Sequence, residues 1–265
     1  MSVLGAQKAL ARAFWGKWSM TLTQDRTLAA AGLICAYAGL IGFTDNYVRV
    51  IAAETGLWQF HAIRTAMAMV LLGGVAAALG WRLRPVRLGA VLARSALHGA
   101  AMVIYFGALA FLPVALVAAG LFTSPIFVLL ISRFAYGHAI GPVRIAAVAL
   151  GFCGVILVLG PEAFAGASLA AVLPILAGVL YAMGNIATRE WCAQEGAVTL
   201  LAGFFLALGL IGLIGMAALW LWPLPVPEGA AGFLQRGALW PSESFYFWTL
   251  VQAVGSLLGV GLMIR

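Results

Sequence analysis

Residues 198–221 read VTLLAGFFLALGLIGLIGMAALWL, without one Asp, Glu, Lys, Arg or His. A bilayer core is about 30 Å thick and a helix rises about 1.5 Å per residue, so about 20 apolar residues make one crossing. This stretch is therefore one helical membrane span. A strand of a membrane barrel would alternate polar and apolar positions over about ten residues instead.

The same texture fills the rest of the chain. Of 265 residues, 64% are hydrophobic and 9% charged, against about 45–50% and 25% in a soluble globule. So little charge cannot cover a water-exposed surface, and so much hydrophobicity excludes disorder. A soluble enzyme and a single-anchor receptor are both ruled out. Apolar runs predict about eight spans, near 28–51, 57–80, 92–111, 114–132, 143–160, 169–188, 198–221 and 245–263. Ahead of them lies a basic leader, 1–27, whose stretch Val3–Trp18 reads as a short interfacial helix or as plain leader. The fold class is an all-α, polytopic transmembrane helix bundle. The 32 glycines, where small residues let membrane helices approach closely, predict tight packing. The longest connection, 222–244, holds Pro223, Pro225 and Pro227 and reads as a loop outside the membrane.

The net charge of +7 would suggest nucleic acid in a soluble protein. Here it reports orientation, because Lys and Arg collect in cytoplasmic loops. Twelve of the 15 basic residues fall on the side of the N-terminus: Lys8, Arg12, Lys17, Arg26, Arg82, Arg84, Arg87, Arg94, Arg133, Arg144, Arg189 and Arg265. The opposite loops hold only Arg236, and Arg49 and Arg64 lie inside spans. The expectation is a bacterial inner (plasma) membrane with a cytoplasmic N-terminus and no nucleic-acid partner. Trp58, Trp81, Trp220, Trp222 and Trp240 sit at or near span ends, where aromatic belts lie.

A shift of 140 residues lays span six on span one: Ala30-Ala31 meets Ala170-Ala171, Leu33 meets Leu173, Asp45 meets Asn185, Arg49 meets Arg189 and Gly56 meets Gly196. A repeat of five spans is odd, so the second copy enters the membrane upside down. Inverted repeats of this kind place a substrate site near the midplane between the copies. The first copy covers 28–160; the second, 169–265, shows three spans. The expectation is a chain two spans short, about 50 residues by comparison with 112–160 of the first copy.

The stretch Tyr105-Phe106-Gly107-Ala108-Leu109 through Leu112-Pro113, Thr123-Ser124-Pro125 and Gly151-Phe152-Cys153-Gly154-Val155-Ile156-Leu157-Val158 resembles the EamA-type transporters of the drug/metabolite transporter superfamily. Leu176-Ala177-Gly178-Val179-Leu180-Tyr181-Ala182 is similar to the start of that family's second repeat, and Val254-Gly255-Ser256-Leu257-Leu258-Gly259-Val260-Gly261 to its eighth span. The resemblance implies a ten-span secondary transporter of small metabolites, often an exporter, working by alternating access. The chain departs from the pattern at His138, where the family carries a glutamate, and in the missing spans nine and ten.

Charged groups inside spans cost about 2.5–3.5 kcal/mol on insertion scales, so each needs a reason. Asp45 and Arg49 are four apart and are predicted to pair on one helix face. His61 and Arg64 lie three apart on span two, at the same membrane depth. The four form a candidate polar cluster with surplus positive charge, suited to a carboxylate or phosphate. The competing reading is a structural ion pair, with Arg49 snorkelling to the interface. Asn185 is the repeat mate of Asp45, while Tyr105, Thr123, Tyr181 and Gln252 fall near mid-span as further candidate substrate-binding residues or packing. Pro125 removes one backbone donor from span four and makes a hinge or a static kink.

Cys35, Cys153 and Cys192 are scattered with no CxxC, so no metal site is expected. His61, His98 and His138 match no metalloenzyme spacing, and no GxSxG elbow or Walker A motif occurs. The expectation is no catalysis and no cofactor. The predicted function is a secondary transporter (permease or exporter) of small polar or amphipathic metabolites. Its partners are the small-molecule substrate, the lipid bilayer and, as candidates, protons and a second copy of the chain. The alternative is a non-transporting helical membrane protein, or a truncated remnant acting as an assembly partner.

Overall fold

The computed structural model describes residues 32–33, 35–81, 83–159 and 169–263, which are helical with short connections and no strand. The leader and its interfacial stretch lie outside the described residues. Ten helices follow one another: α1 (described over 35–45), α2 (Val48–Glu54), α3 (Leu57–Leu79), α4 (Leu88–Ala108), α5 (Val114–Leu121), α6 (Ser124–Phe134), α7 (Pro142–Leu159), α8 (Val172–Trp191), α9 (Ala197–Leu221) and α10 (Glu243–Met263). They fall on the predicted spans to within a few residues at the described boundaries. Spans one and four are each split in two.

The breaks have local causes. Asn46 turns its amide back onto the Gly42 carbonyl at 2.6 Å, and the helix stops for Asn46 and Tyr47. Span four breaks at Phe122-Thr123, just ahead of Pro125 in the first turn of α6. Pro125 has no N–H for the Leu121 carbonyl four residues back, and a proline tolerates the first turn of a helix, so α5 ends at Leu121 and α6 starts at Ser124. Gly80 ends α3 in the left-handed region at φ 65°, and Trp81 N–H bonds the Ala76 carbonyl.

Five stretches are long and apolar enough to cross a membrane: Leu57–Leu79, Leu88–Ala108, Val114–Phe134, Val172–Trp191 and Ala197–Leu221. The apolar part of α7, Pro142–Leu157, is shorter. The chain is thus an all-α polytopic bundle. α9 shows how such a helix chooses its faces. Leu206, Leu210, Leu213 and Ile214 point outward and are more than half exposed. Gly209, Gly212 and Gly215 press against Thr65, Trp58 and His61 of α3. In lipid the large apolar side chains gain nothing by turning inward, whereas glycine lets two backbones touch.

α4 lies at the centre, packed on α8 and α9; α3 packs on α9 and α10, and α5 and α6 on α8. One end of the bundle carries Arg84, Arg87, Arg133, Arg144 and Arg189 and is called the basic face below. The opposite face is covered by the 222–242 connection, which contains a 3-10 turn at Gly229–Leu234. That connection is no free loop. Phe233 is fully buried, the Trp58 Nε1–H donates to the Leu234 carbonyl at 2.9 Å, and Gln59 pairs with both backbone groups of Leu239.

Candidate functional site

Arg64 stands two turns inside α3, and its side chain cannot leave the bundle. It is 4% exposed. Its guanidinium carbon lies 4.8 Å from the ring centre of Phe106, 5.7 Å from Phe60 and 5.8 Å from Phe205, a box drawn from α3, α4 and α9. Ring faces attract a cation, which offsets part of the cost of burying it. Nη2 donates to Ser256 Oγ at 2.5 Å, and Ser256 donates onward to the Gln252 carbonyl at 2.8 Å. Among the described residues Nε and Nη1 have no hydrogen-bond partner. Beside them His61 is fully buried against Phe60 and Phe106, and neither ring nitrogen has a partner among the described residues. Buried donors without acceptors are uncommon and costly, which makes the place a candidate site.

Asp45 supplies the nearest negative group. It is buried at the end of α1 and accepts the Tyr105 hydroxyl at 2.7 Å, with Gln252 of α10 close by. Gln252 Nε2 donates to the Thr44 carbonyl at 2.8 Å. Arg64 and Asp45 feel each other electrostatically without forming an ion pair. Asp45, His61, Arg64, Tyr105 and Gln252 thus come together, as one site built from α1, α3, α4 and α10. Replacing Tyr105 with Phe is expected to lower stability by about 2 kcal/mol, the worth of a hydrogen bond to a charged acceptor. Thermal melting of the purified variant in detergent checks it, and an unchanged midpoint counts against the bond.

One expectation needs correction. Asp45 and Arg49 do not pair, because the helix breaks at Asn46-Tyr47 and the four-residue spacing no longer stacks them. Arg49 is exposed and donates instead to the Leu109 and Leu112 carbonyls at 3.4 and 3.3 Å, closing the C-terminal end of α4. Thr123 bonds the Gly120 carbonyl at 2.6 Å in the α5–α6 break, beside Pro125, and lies apart from the Arg64 site.

A second polar group lies nearer the basic face, between α4 and α8. His98 Nδ1 faces the Arg94 carbonyl at 3.1 Å, and Nε2 faces the Asn185 amide at 3.2 Å. The Arg94 carbonyl and Asn185 Oδ1 both only accept, so a neutral ring, with its single N–H, donates to one of them at a time. The ring meets Tyr181 edge-on at 4.9 Å. Arg94 donates to Thr188 Oγ1 and to the Leu200 carbonyl, both at 2.9 Å. Tyr181 and Asn185 therefore belong here. Tyr37 of α1 lies near Tyr181, Asp45 and Arg64.

Sequence reasoning missed Tyr37, Arg94, His98 and Ser256. Arg94 counted as a loop charge and His98 was weighed only as a metal ligand. Both fall inside α4, and a buried ionisable residue in a span was the signal available.

Residues 28–160 match the EamA-like transporter family. A riboflavin transporter of Rhizobium johnstonii is 34% identical over 148 residues, covering 55% of this chain and 47% of that protein. The chain thus spans about half the length of this curated relative. A solved crystal structure shares the fold with a TM-score of 0.60 at 18% identity, over 89% of this chain and 78% of that one.

Proposed function

The chain belongs to the EamA-like transporter family, and from that premise we propose that it is a secondary transporter of a small polar or amphipathic metabolite. It works by alternating access between two inverted halves, 28–160 and 169–265, in a bacterial inner membrane with the N-terminus cytoplasmic. The gathering of Arg84, Arg87, Arg133, Arg144 and Arg189 at one end supports that orientation. The relation between halves is supported by the starts of α3 and α9. Each begins directly after an extended glycine cap, Gly56 and Gly196, and the two helices pack on each other.

The observation that carries the reading is Arg64: a buried guanidinium among three phenylalanines, with two nitrogens unpartnered. Such a group recognises an electron-rich oxygen attached to a flat or apolar body. Riboflavin, the named cargo of the Rhizobium relative, combines a flat ring bearing carbonyl oxygens with a polar chain, and is the first compound to test. That Arg64 has no ion pair among the described residues also suits a carboxylate or phosphate. Asp45, Tyr105 and Gln252 complete the proposed site, with Tyr181 and Asn185 further along the route. His61 and His98 are the groups through which a proton gradient would act.

The test is uptake by proteoliposomes of riboflavin, its phosphate ester and simple organic anions, with and without a pH gradient. Saturable uptake of one of these classes is expected. Failure of all of them to cross faster than into empty liposomes would overturn the reading.

A further inference from the structure

Among the contacts that join the halves, two, one at each face, use opposite charges. At the opposite face Arg236, 8% exposed, reaches from the 222–242 connection to the end of α2. Its Nη1 donates to the Ala52 and Thr55 carbonyls at 2.7 and 2.8 Å, and its Nη2 to the Gly229 carbonyl at 2.7 Å. Those α2 carbonyls are the ones a helix end leaves without partners, and they carry partial negative charge. The fit is close: a Cβ on Gly56 would fall 2.1 Å from the Arg236 carbonyl oxygen.

At the basic face the signs invert. Glu195, between α8 and α9, accepts the Arg87 N–H on Oε1 at 2.6 Å and the Val86 N–H on Oε2 at 3.0 Å. Those amides stand at the start of α4, where a helix is electropositive. Thr55 and Glu195 are 140 positions apart, the shift that relates the two halves. At each face, the junction before the second span of one half holds the connection after the second span of the other. A cation on carbonyls closes one face, and a carboxylate on amides closes the other.

We propose that Arg236 and Glu195 are the two gate residues of the transport cycle, one opening as the other holds; this rests on the alternating-access reading above. The two seals differ in depth. Arg236 is backed by buried Phe233, by Trp58 on Leu234 and by Gln59 on Leu239. Glu195 has two hydrogen bonds and borders a cavity of about 1160 Å³ lined by Gly73, Ala77, Arg84 and Gly196. From this conformation the basic face is the one that opens first.

Hydrogen exchange on the full chain in lipid nanodiscs tests the proposal without any substrate. In Glu195→Ala, exchange at 84–91 rises, as any loss of the bonds would cause. The gate role adds a reciprocal change: exchange at 52–56 and 229–239 slows by about tenfold, the scale of a lost hydrogen bond to a charged group. Arg236→Ala gives the mirror result. Glu195→Gln and Arg236→Lys serve if the alanine variants do not fold. Changes confined to the mutated face, reciprocity in one variant alone, or no change at all each overturn the proposal. Because uptake is measured separately, such a failure leaves the transporter reading standing, and failed uptake leaves the exchange result intact.

Discussion

Arg64→Ala is expected to abolish uptake of the cargo while the protein still inserts in the membrane. Arg64 is the buried cation of the proposed site, and Asp45 is the negative group in its electrostatic reach. Removing it takes away the two open donors and leaves Asp45 without a balancing charge. It also empties the space between Phe60, Phe106 and Phe205. Alanine therefore mixes a chemical loss with a cavity, which costs stability by itself. Arg64→Met separates the two. A methionine of similar length fills the box and keeps favourable contact with the rings, so its melting midpoint stays nearer wild type while uptake is still lost. Lys at this position is also expected to fail. An ammonium presents neither the flat face that stacks on aromatic rings nor nitrogens spread in a plane. Uptake by proteoliposomes, with size-exclusion profiles of each variant, checks these outcomes. Wild-type uptake by Arg64→Met would remove Arg64 from the site.

The largest effect on stability is expected from Gly120→Ala. A Cβ there would fall 2.2 Å from Pro174 Cβ, 2.6 Å from its carbonyl carbon and 2.9 Å from its Cα. Two of those three atoms are backbone, so no rotamer change relieves the clash. Gly178 faces back, where a Cβ would sit 2.6 Å from the Gly120 carbonyl oxygen. α5 and α8 meet closely through this patch, and α5 would have to withdraw. Overpacking costs about 3 kcal/mol at the upper end of its usual range. That corresponds to a melting midpoint about 6–12 °C lower for a chain of this size. Thermal melting in detergent measures it, and an unchanged midpoint would show that the two helices do not meet as closely as described.

The spans were legible because a bilayer imposes a length and a composition on every crossing, and both are local properties. Glycine and proline punctuation placed the ends of α3 and α9 and the start of α5 as read from sequence. The split of span one was not legible. It depends on Asn46 competing for the Gly42 carbonyl, and a polar side chain in a helix makes that choice only when its surroundings permit. The expected Asp45–Arg49 pair failed with it, since four-residue spacing is a rule for unbroken helices.

Candidate residues were legible one at a time, as polar exceptions in apolar runs. Their grouping was not. Arg64 meets Ser256 across 192 positions and Gln252 meets Thr44 across 208, and no spacing rule reaches that far. Arg236 makes the point most sharply. In sequence it is the lone basic residue of an external loop, and in the fold it is buried on the carbonyls of another helix. By itself the sequence determined that this is an all-α bundle of membrane spans, because burial in lipid is decided segment by segment. Tertiary structure alone decided which polar groups share a site and which hold the two faces closed. Those are contacts between distant segments, selected by which helix faces are small enough to meet.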